Sequence, residues 1–219
     1  MTAMPPKRTT KISLPTSTLP KSTELDATHW LPAERLGQIE VDPPLRPWLI
    51  GKGLLTQRIK EACGARFGRK LVHQWPGLLS PALQSSLKVT DTAGLFREVA
   101  LCCGEEPLVL AQTVVPDSTL SVHPWLAELG ETSLGETLNE LTGVERSAYE
   151  YARLPPEEAL SSRQALRGRA HNERRDSVAE PATLWARRAR IRLRGAPLLV
   201  REVFLPALGR AEAAGRHDA

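Results

Sequence analysis

The sequence has little of what disulfide-rich, zinc-binding or membrane-spanning proteins need. Its three cysteines, Cys63, Cys102 and Cys103, are odd in number and form no CxxC pair, which argues against a disulfide framework or a zinc site. No apolar run approaches the roughly 20 residues that span a bilayer. The N-terminus lacks the apolar core of a secretory signal. These absences predict a soluble cytoplasmic protein that does not insert into a membrane.

Several common catalytic motifs are also missing. The chain contains no GxSxG, no P-loop, no GxGxxG and no HExxH motif. It therefore gives no indication of the hydrolases, nucleotide-binding enzymes or zinc peptidases that these motifs mark. Its five histidines are scattered singly along the chain. If the protein is an enzyme, its chemistry must depend on other residue types.

The basic character of the chain leaves nucleic-acid binding as an alternative. The formal net charge is +4, and arginines are concentrated in residues 187–194. There they alternate with Ile191 and Leu193, as on a half-buried strand, and no DNA- or RNA-binding motif accompanies them. We therefore predict no nucleic-acid partner. Steep salt-dependent DNA binding would contradict that prediction.

Length and composition predict one domain with tails. The 219 residues, 41% of them hydrophobic, are enough for a substantial core. Residues 1–27 and 208–219 are polar and are predicted to be disordered. Residues 154–182 are rich in charge and poor in large apolar side chains, so we interpret them as a mobile insertion. Residues 28–207 then form the domain.

Hydrophobic periodicity predicts an α+β protein with an antiparallel sheet of five or six strands. A helical region at 44–62 breaks at 51–53. A short helix capped by Ser121 and another beginning at Leu134 are expected in the connections. The predicted strands are 66–75 (ending at Pro76), 94–103, 108–115, 144–153, 188–194 and 198–205.

Two of these strands place a charge on an apolar face. Arg97 shares a strand face with Leu95 and Val99, and Glu202 shares one with Val200, because side chains alternate along a strand. Burying a charge is costly unless the charge is paired or binds a ligand. An inward arginine and an inward carboxylate on one sheet therefore indicate a site for a small, polar, anionic ligand.

The alternative is that both charges are solvated. Leu199 and Val203 line the other face of the Glu202 strand, so periodicity does not decide which face is inside. In the same way, Leu134 could simply begin an ordinary helix, and Leu55 could simply belong to the core.

Five stretches in a fixed order resemble the bacterial chorismate lyase (chorismate–pyruvate lyase) family. The resemblance covers about residues 29–207, apart from 154–182. The stretches are Trp48-Leu49 with Leu54-Leu55-Thr56-x-Arg58, Phe96-Arg97-Glu98-Val99-x-Leu101, Thr113-Val114-Val115-Pro116, Leu129-Gly130-x-x-x-Leu134-Gly135-x-x-Leu138, and the block from Trp185-x-Arg187-Arg188 through Gly195, Pro197 and Glu202 to Leu205-Pro206.

The resemblance implies a single domain with a six-stranded antiparallel sheet and helical flaps over a buried ligand site. The implied enzyme splits chorismate into 4-hydroxybenzoate and pyruvate, the first step of ubiquinone synthesis, without a metal or other cofactor. Arg97 would bind the ring carboxylate, helped by the backbone amides of Leu134 and Leu55. Glu202 would contact the oxygen at the opposite end of the ring, as a general acid or as a positioning group. With no assembly signal in the sequence, we expect a monomer.

Three positions depart from the family pattern. Gln112 stands where many relatives have arginine, which puts a second cationic contact there in doubt. Ser133 replaces a proline that often precedes the Leu-Gly pair, and Leu55 occupies a position that is methionine in some relatives. A change of side chain at Leu55 matters little if the contact is made by the backbone.

The resemblance also leaves a non-enzymatic alternative. The same fold serves as the effector-binding domain of some transcription regulators, which carry a DNA-binding domain ahead of it. Only about 28 residues precede the domain here, which we expect to be too few for a winged helix. The lyase is therefore the favoured hypothesis.

Overall fold

A computed structural model describes residues 29–38, 40–154 and 184–209 of the chain. The predicted tails, 1–27 and 208–219, and the predicted insertion, 154–182, lie outside these residues except at their borders. At those borders, Leu154 and Leu208 are buried.

Within the described residues, one antiparallel sheet of eight strands organises the fold. The strand order is β1-β6-β7-β8-β4-β3-β2, and β5 also pairs with β7. The strands are Leu31–Pro32 (β1), Phe67–Leu78 (β2), Ala93–Cys103 (β3), Glu106–Pro116 (β4), Val144–Arg146 (β5), Glu150–Arg153 (β6), Trp185–Leu193 (β7) and Ala196–Phe204 (β8).

The expected count of six strands is wrong, because one predicted strand is divided in two and one short strand was not predicted. The single strand predicted at 144–153 is divided into β5 and β6, which both pair with β7. Between them, Ser147 uses its backbone N–H and its hydroxyl to bond the backbone of Arg190. That side-chain bond replaces regular ladder pairing. The strand that was not predicted, β1, has only two residues and pairs with β6.

Both predicted hairpins are present. β3 pairs with β4, and β7 pairs with β8 across Arg194 and Gly195, whose φ angles are 49° and 89°. Positive φ at both central residues is what a two-residue hairpin turn of type I′ requires. The strand predicted to end before Pro76 instead continues through it to Leu78. β2 is an edge strand, where a residue without an N–H is tolerated.

Short helices fill the connections. The predicted break at 51–53 separates α1 from α2. The cap predicted at Ser121 is wrong, because α4 begins at Asp117 and Ser121 lies inside it, donating its hydroxyl hydrogen to the Ser118 carbonyl. The helix predicted at Leu134 is confirmed. The helices are Arg46–Ile50 (α1), Leu55–Cys63 (α2), Pro81–Leu87 (α3), Asp117–Val122 (α4) and Leu134–Glu140 (α5), with 3₁₀ turns at Ala33–Gln38, Gly64–Arg66 and Pro124–Ala127.

Apolar cores lie on both faces of the sheet. We call the face that carries Arg97 and Glu202 the front face. On it, α1 and α2 pack over one half of the sheet, and the segment that includes α5 packs over the other half. On the back face, α3 covers Phe96 and Val114. The charged front-face side chains are therefore enclosed between the sheet and its helical cover.

Candidate functional site

A pocket of about 650 Å³, counted with the space at its mouth, lies on the front face. Its floor is formed by β3, β4, β7 and β8. Its cover comes from two segments, residues 46–63 and residues 117–140, which we call the first and second covering segments. All four residues predicted for the site line it: Leu55, Arg97, Leu134 and Glu202. The structure thus brings together residues that are up to about 150 positions apart in the chain.

Arg97 is a buried cation that has no carboxylate partner in the part of the chain that the structure describes. Its exposed fraction is only 5%, and its Nη2 donates to the carbonyls of Gly130 (2.7 Å) and Thr132 (2.9 Å). Its Nε is buried and has no acceptor among the described residues. Burial, and secondarily the positive charge of Arg69, lowers the pKa of Arg97. A guanidinium held in this way has hydrogen-bonding capacity left for an anion in the pocket.

Glu202 is held by an arginine that the sequence did not single out. Arg187 of β7 lies opposite Glu202 of β8, and its Nε donates to the Glu202 carboxylate at 2.5 Å. The exposed fractions of the two side chains are 1% and 14%. Burial alone would lower the pKa of Arg187, but the charge and hydrogen bond of Glu202, together with Tyr149 and Tyr151, raise that pKa above its usual value. Glu202 therefore reaches the pocket as one half of an ion pair.

Two further arginines line the pocket and were also missed. Arg69 of β2 bonds Glu136 of α5 at 2.6 Å, and Arg146 of β5 donates to the Tyr149 hydroxyl at 2.7 Å. Arg69 also lines an open cleft just outside the pocket. The charged residues that line the pocket are thus three arginines and one carboxylate, Glu202, a balance that suits an anionic ligand.

The two predicted amide donors lie at helix starts. Leu55 is the first residue of α2 and Leu134 the first residue of α5, and the N–H groups of a first turn have no acceptor within the helix. The Ser133 hydroxyl caps α5 by accepting from the Glu136 N–H at 3.2 Å. Serine at this position therefore gives the helix a side-chain cap, which a proline could not supply.

Gln112 lies outside the pocket. It pairs with Glu98 on the back face of the sheet, where its Nε2 donates to the Glu98 carboxylate at 2.6 Å. Strand alternation places it opposite to Thr113 and Ala111, which do line the pocket. The departure from the family pattern at Gln112 therefore concerns the back face and not the lining of this pocket.

No group of three His, Cys, Asp or Glu residues that could hold a metal ion occurs in the part of the chain that the structure describes. Within the same part, no helix is long and apolar enough to cross a membrane. Burial raises the pKa of the Cys63 thiol to about 12, so this thiol stays protonated and packs in the front-face core. The predictions that the protein needs no cofactor, is a monomer and is cytoplasmic remain predictions.

Comparison with known proteins agrees with this geometry. Residues 24–212 match the family model described as chorismate lyase. A probable chorismate pyruvate-lyase of Nitrosospira multiformis is 35% identical over 187 residues, covering 83% of this chain and 94% of that protein. A chorismate pyruvate-lyase of Salmonella arizonae is 32% identical, covering 76% of this chain and 86% of that protein.

Among solved structures, the effector domain of PhnF from Mycobacterium smegmatis has a TM-score of 0.48 and 18% identity, covering 73% of this chain and 92% of that one. This score is too low to support a conclusion about the chain. The family match and the curated relatives extend over most of the sequence, and on that basis the chain belongs to the chorismate lyase family.

Proposed function

We propose that this protein cleaves chorismate to 4-hydroxybenzoate and pyruvate. The observation that carries the proposal is Arg97, a buried guanidinium that lines the same pocket as Glu202 and whose Nε has no partner among the residues described by the structure. Such a charge is costly in a protein interior unless a ligand compensates it. The ring carboxylate of chorismate supplies that compensation, and the relatives named for this activity support the choice of substrate.

The reaction requires positioning more than strong acid or base chemistry. The ether C–O bond to the ring breaks and its electron pair leaves with the enolpyruvate. The neighbouring ring carbon, which bears the hydroxyl, loses its hydrogen as a proton, so the ring becomes aromatic, and the enolpyruvate takes up one proton to become pyruvate. Formation of the aromatic ring makes the overall change favourable. Holding one reactive conformer can contribute roughly 7–11 kcal/mol to barrier reduction. The site must therefore fix both ends of the ring and stabilise the negative charge that develops on the leaving group.

Arg97 fixes the carboxylate end in this proposal. Its Nε and a terminal nitrogen make a two-pronged, charge-assisted contact with the ring carboxylate. The backbone amides of Leu134 and Leu55, one from each covering segment, add two more donors. These contacts come from the sheet and from both covering segments, so bound substrate would hold both segments against the sheet.

Glu202 fixes the opposite end. The sequence left open whether it donates a proton or only positions the substrate. In its ion pair with Arg187, the Glu202 carboxylate already acts as a hydrogen-bond acceptor, because it takes the N–H of Arg187 Nε. We therefore propose that Glu202 accepts a hydrogen bond from the ring hydroxyl and orients the ring, without acting as the general acid.

Turnover of chorismate by the purified protein, without added metal, is the direct test. Chromatography measures 4-hydroxybenzoate and a coupled assay measures pyruvate, and we expect the two products in equal amounts. Because the site is enclosed, we also expect the product to bind tightly and to inhibit. Tight 4-hydroxybenzoate binding without turnover would instead support the effector-binding alternative. Neither turnover nor binding would contradict both.

Arg69 is proposed to bind the second carboxylate of the substrate, on the enolpyruvyl group. We expect Arg69→Gln to raise KM for chorismate roughly 5- to 30-fold, the effect of losing one partly exposed charge-assisted hydrogen bond. The inhibition constant of 4-hydroxybenzoate should stay within about twofold of wild type, because the product lacks that carboxylate. Steady-state kinetics with added product measures both constants.

Lys70→Gln is the matched control for Arg69→Gln. Lys70 is the next residue of the same strand, and its amino group pairs with Glu105 outside the pocket. We expect both constants to be unchanged in that variant. If Arg69→Gln weakened the binding of chorismate and of 4-hydroxybenzoate equally, Arg69 would act on the ring carboxylate or through the overall electrostatic field of the pocket. That result would contradict the assignment.

A further inference from the structure

The Arg187 side chain contacts the Glu202 carboxylate, the end of α1 and the loop that follows α1. While its Nε bonds Glu202, its Nη1 donates to the carbonyls of Trp48 (3.3 Å), Leu49 (3.1 Å) and Gly51 (3.2 Å). Those carbonyls lie at the end of α1 and in the loop after it. The partly negative end of a helix is a favourable place for a cation.

The loop held by Arg187 leads directly to a proposed substrate contact. Only residues 52–54 separate Gly51 from Leu55, the first residue of α2. Holding the Gly51 carbonyl therefore restricts where the Leu55 N–H can lie. The same guanidinium also stacks over Tyr149, with its carbon 4.3 Å from the ring centroid, and this packing limits the positions that it can adopt.

We propose that Arg187 is a positioning residue that couples the Glu202 carboxylate to closure of the first covering segment. Bound substrate orients Glu202, Glu202 orients Arg187, and Arg187 holds the loop that presents the Leu55 amide. The catalytic part of this inference rests on the proposed lyase function. The coupling itself is a property of the chain without ligand.

A purely structural role would not require this arrangement. An apolar side chain of similar size can usually replace a buried ion pair without loss of stability. Arg187 also keeps one nitrogen, Nη2, buried and without a partner among the described residues. The fork of a guanidinium is, however, well suited to binding a carboxylate and several carbonyls at the same time.

The first measurement is a double-mutant cycle on kcat with Arg187→Gln and Glu202→Gln. We expect Arg187→Gln to lower kcat roughly 10- to 100-fold, the range seen when a group that orients a functional side chain is removed. The double variant should be no slower than Glu202→Gln alone, because the two residues act as a unit. Arg188→Gln is the control, since Arg188 pairs with Glu150 and lines a back-face pocket.

The Arg187→Lys variant distinguishes the contact with Glu202 from the contacts with the three backbone carbonyls. A lysine keeps a cation beside Glu202, so kcat should recover to within a few-fold of wild type. Its single ammonium cannot reproduce the fork to three carbonyls, so 4-hydroxybenzoate should dissociate at least about fivefold faster, which stopped-flow measures. A lysine variant that matches the glutamine variant in kcat, or wild type in product release, would contradict the proposal.

Hydrogen–deuterium exchange tests the coupling without reference to activity. In the unliganded protein, amides at 52–56 should exchange faster in both Arg187→Gln and Glu202→Gln than in wild type or Arg188→Gln. If wild type does not turn over chorismate but this exchange pattern holds, the lyase proposal fails and the coupling stands. If wild type is active but exchange at 52–56 is unchanged, or the kcat cycle is additive, the coupling is wrong and the lyase proposal stands.

Discussion

Replacing Arg97 with glutamine should lower kcat/KM for chorismate by roughly 10²- to 10³-fold, because truncating one partner of a buried, charge-assisted pair leaves the substrate carboxylate without its counter-ion. The thermal unfolding midpoint of this variant without ligand should be equal to or higher than that of wild type. Arg97 is 95% buried (5% exposed) and has no ion-pair partner in the described parts of the chain. Removing it therefore removes an uncompensated buried charge.

Steady-state kinetics and thermal denaturation with and without 4-hydroxybenzoate check this prediction together. Product should raise the midpoint of the wild type, because a ligand that binds only the folded state stabilises it, and should raise that of Arg97→Gln far less. Arg192→Gln is the matched control, since Arg192 is an exposed arginine on β7. Turnover close to wild type in Arg97→Gln would remove Arg97 from the site.

The central part of the site could be predicted from the sequence because it depends on strand alternation. Arg97 and Glu202 lie in long strands, along which side chains alternate between the two faces, and the structure places both on the front face. Periodicity gives the spacing of side chains but not the identity of the inner face. The family resemblance supplied that identity for Glu202, whose strand has apolar residues on both sides.

Arg187 was missed although the sequence contained a signal for it. The turn at Arg194 and Gly195 pairs Leu193 with Ala196, and counting outward from that turn pairs Arg187 with Glu202. Register within a hairpin follows from the turn, but the predicted strands 188–194 and 198–205 place the turn at residues 195–197 and so give a different register. Arg187 was instead grouped with the neighbouring basic residues, whose side chains point to the other face or to solvent.

Local sequence patterns could predict neither the place of Arg69 in the pocket nor the division of the predicted 144–153 strand. Arg69 reaches the pocket only because β2 pairs with β3 in a particular register and α5 brings Glu136 to meet it. The break between β5 and β6 depends on Ser147 bonding Arg190, 43 residues away. Contacts between distant segments are set by the assembled fold, and no sequence window contains them.

Glu202→Ala should, in contrast to Arg97→Gln, reduce both turnover and stability. The substitution leaves Arg187, 1% exposed, as a buried cation without its carboxylate. Breaking a buried pair in this way typically costs about 3–5 kcal/mol of the free energy of unfolding. Turnover should fall at least about 100-fold, because the ring loses a contact that we expect to matter in the transition state. Urea denaturation and steady-state kinetics measure the two effects.

The double variant Glu202→Leu/Arg187→Met distinguishes the two roles of the pair. Replacing both charges with apolar side chains of similar size should restore most of the unfolding free energy, because no unpaired charge remains. It should not restore turnover, because a leucine cannot accept a hydrogen bond from the substrate. A stable double variant that turns over chorismate at the wild-type rate would show that the pair is only structural. A Glu202→Ala protein as stable as wild type would show that Arg187 does not depend on this carboxylate, and the coupling between Glu202 and the first covering segment would lose its physical basis.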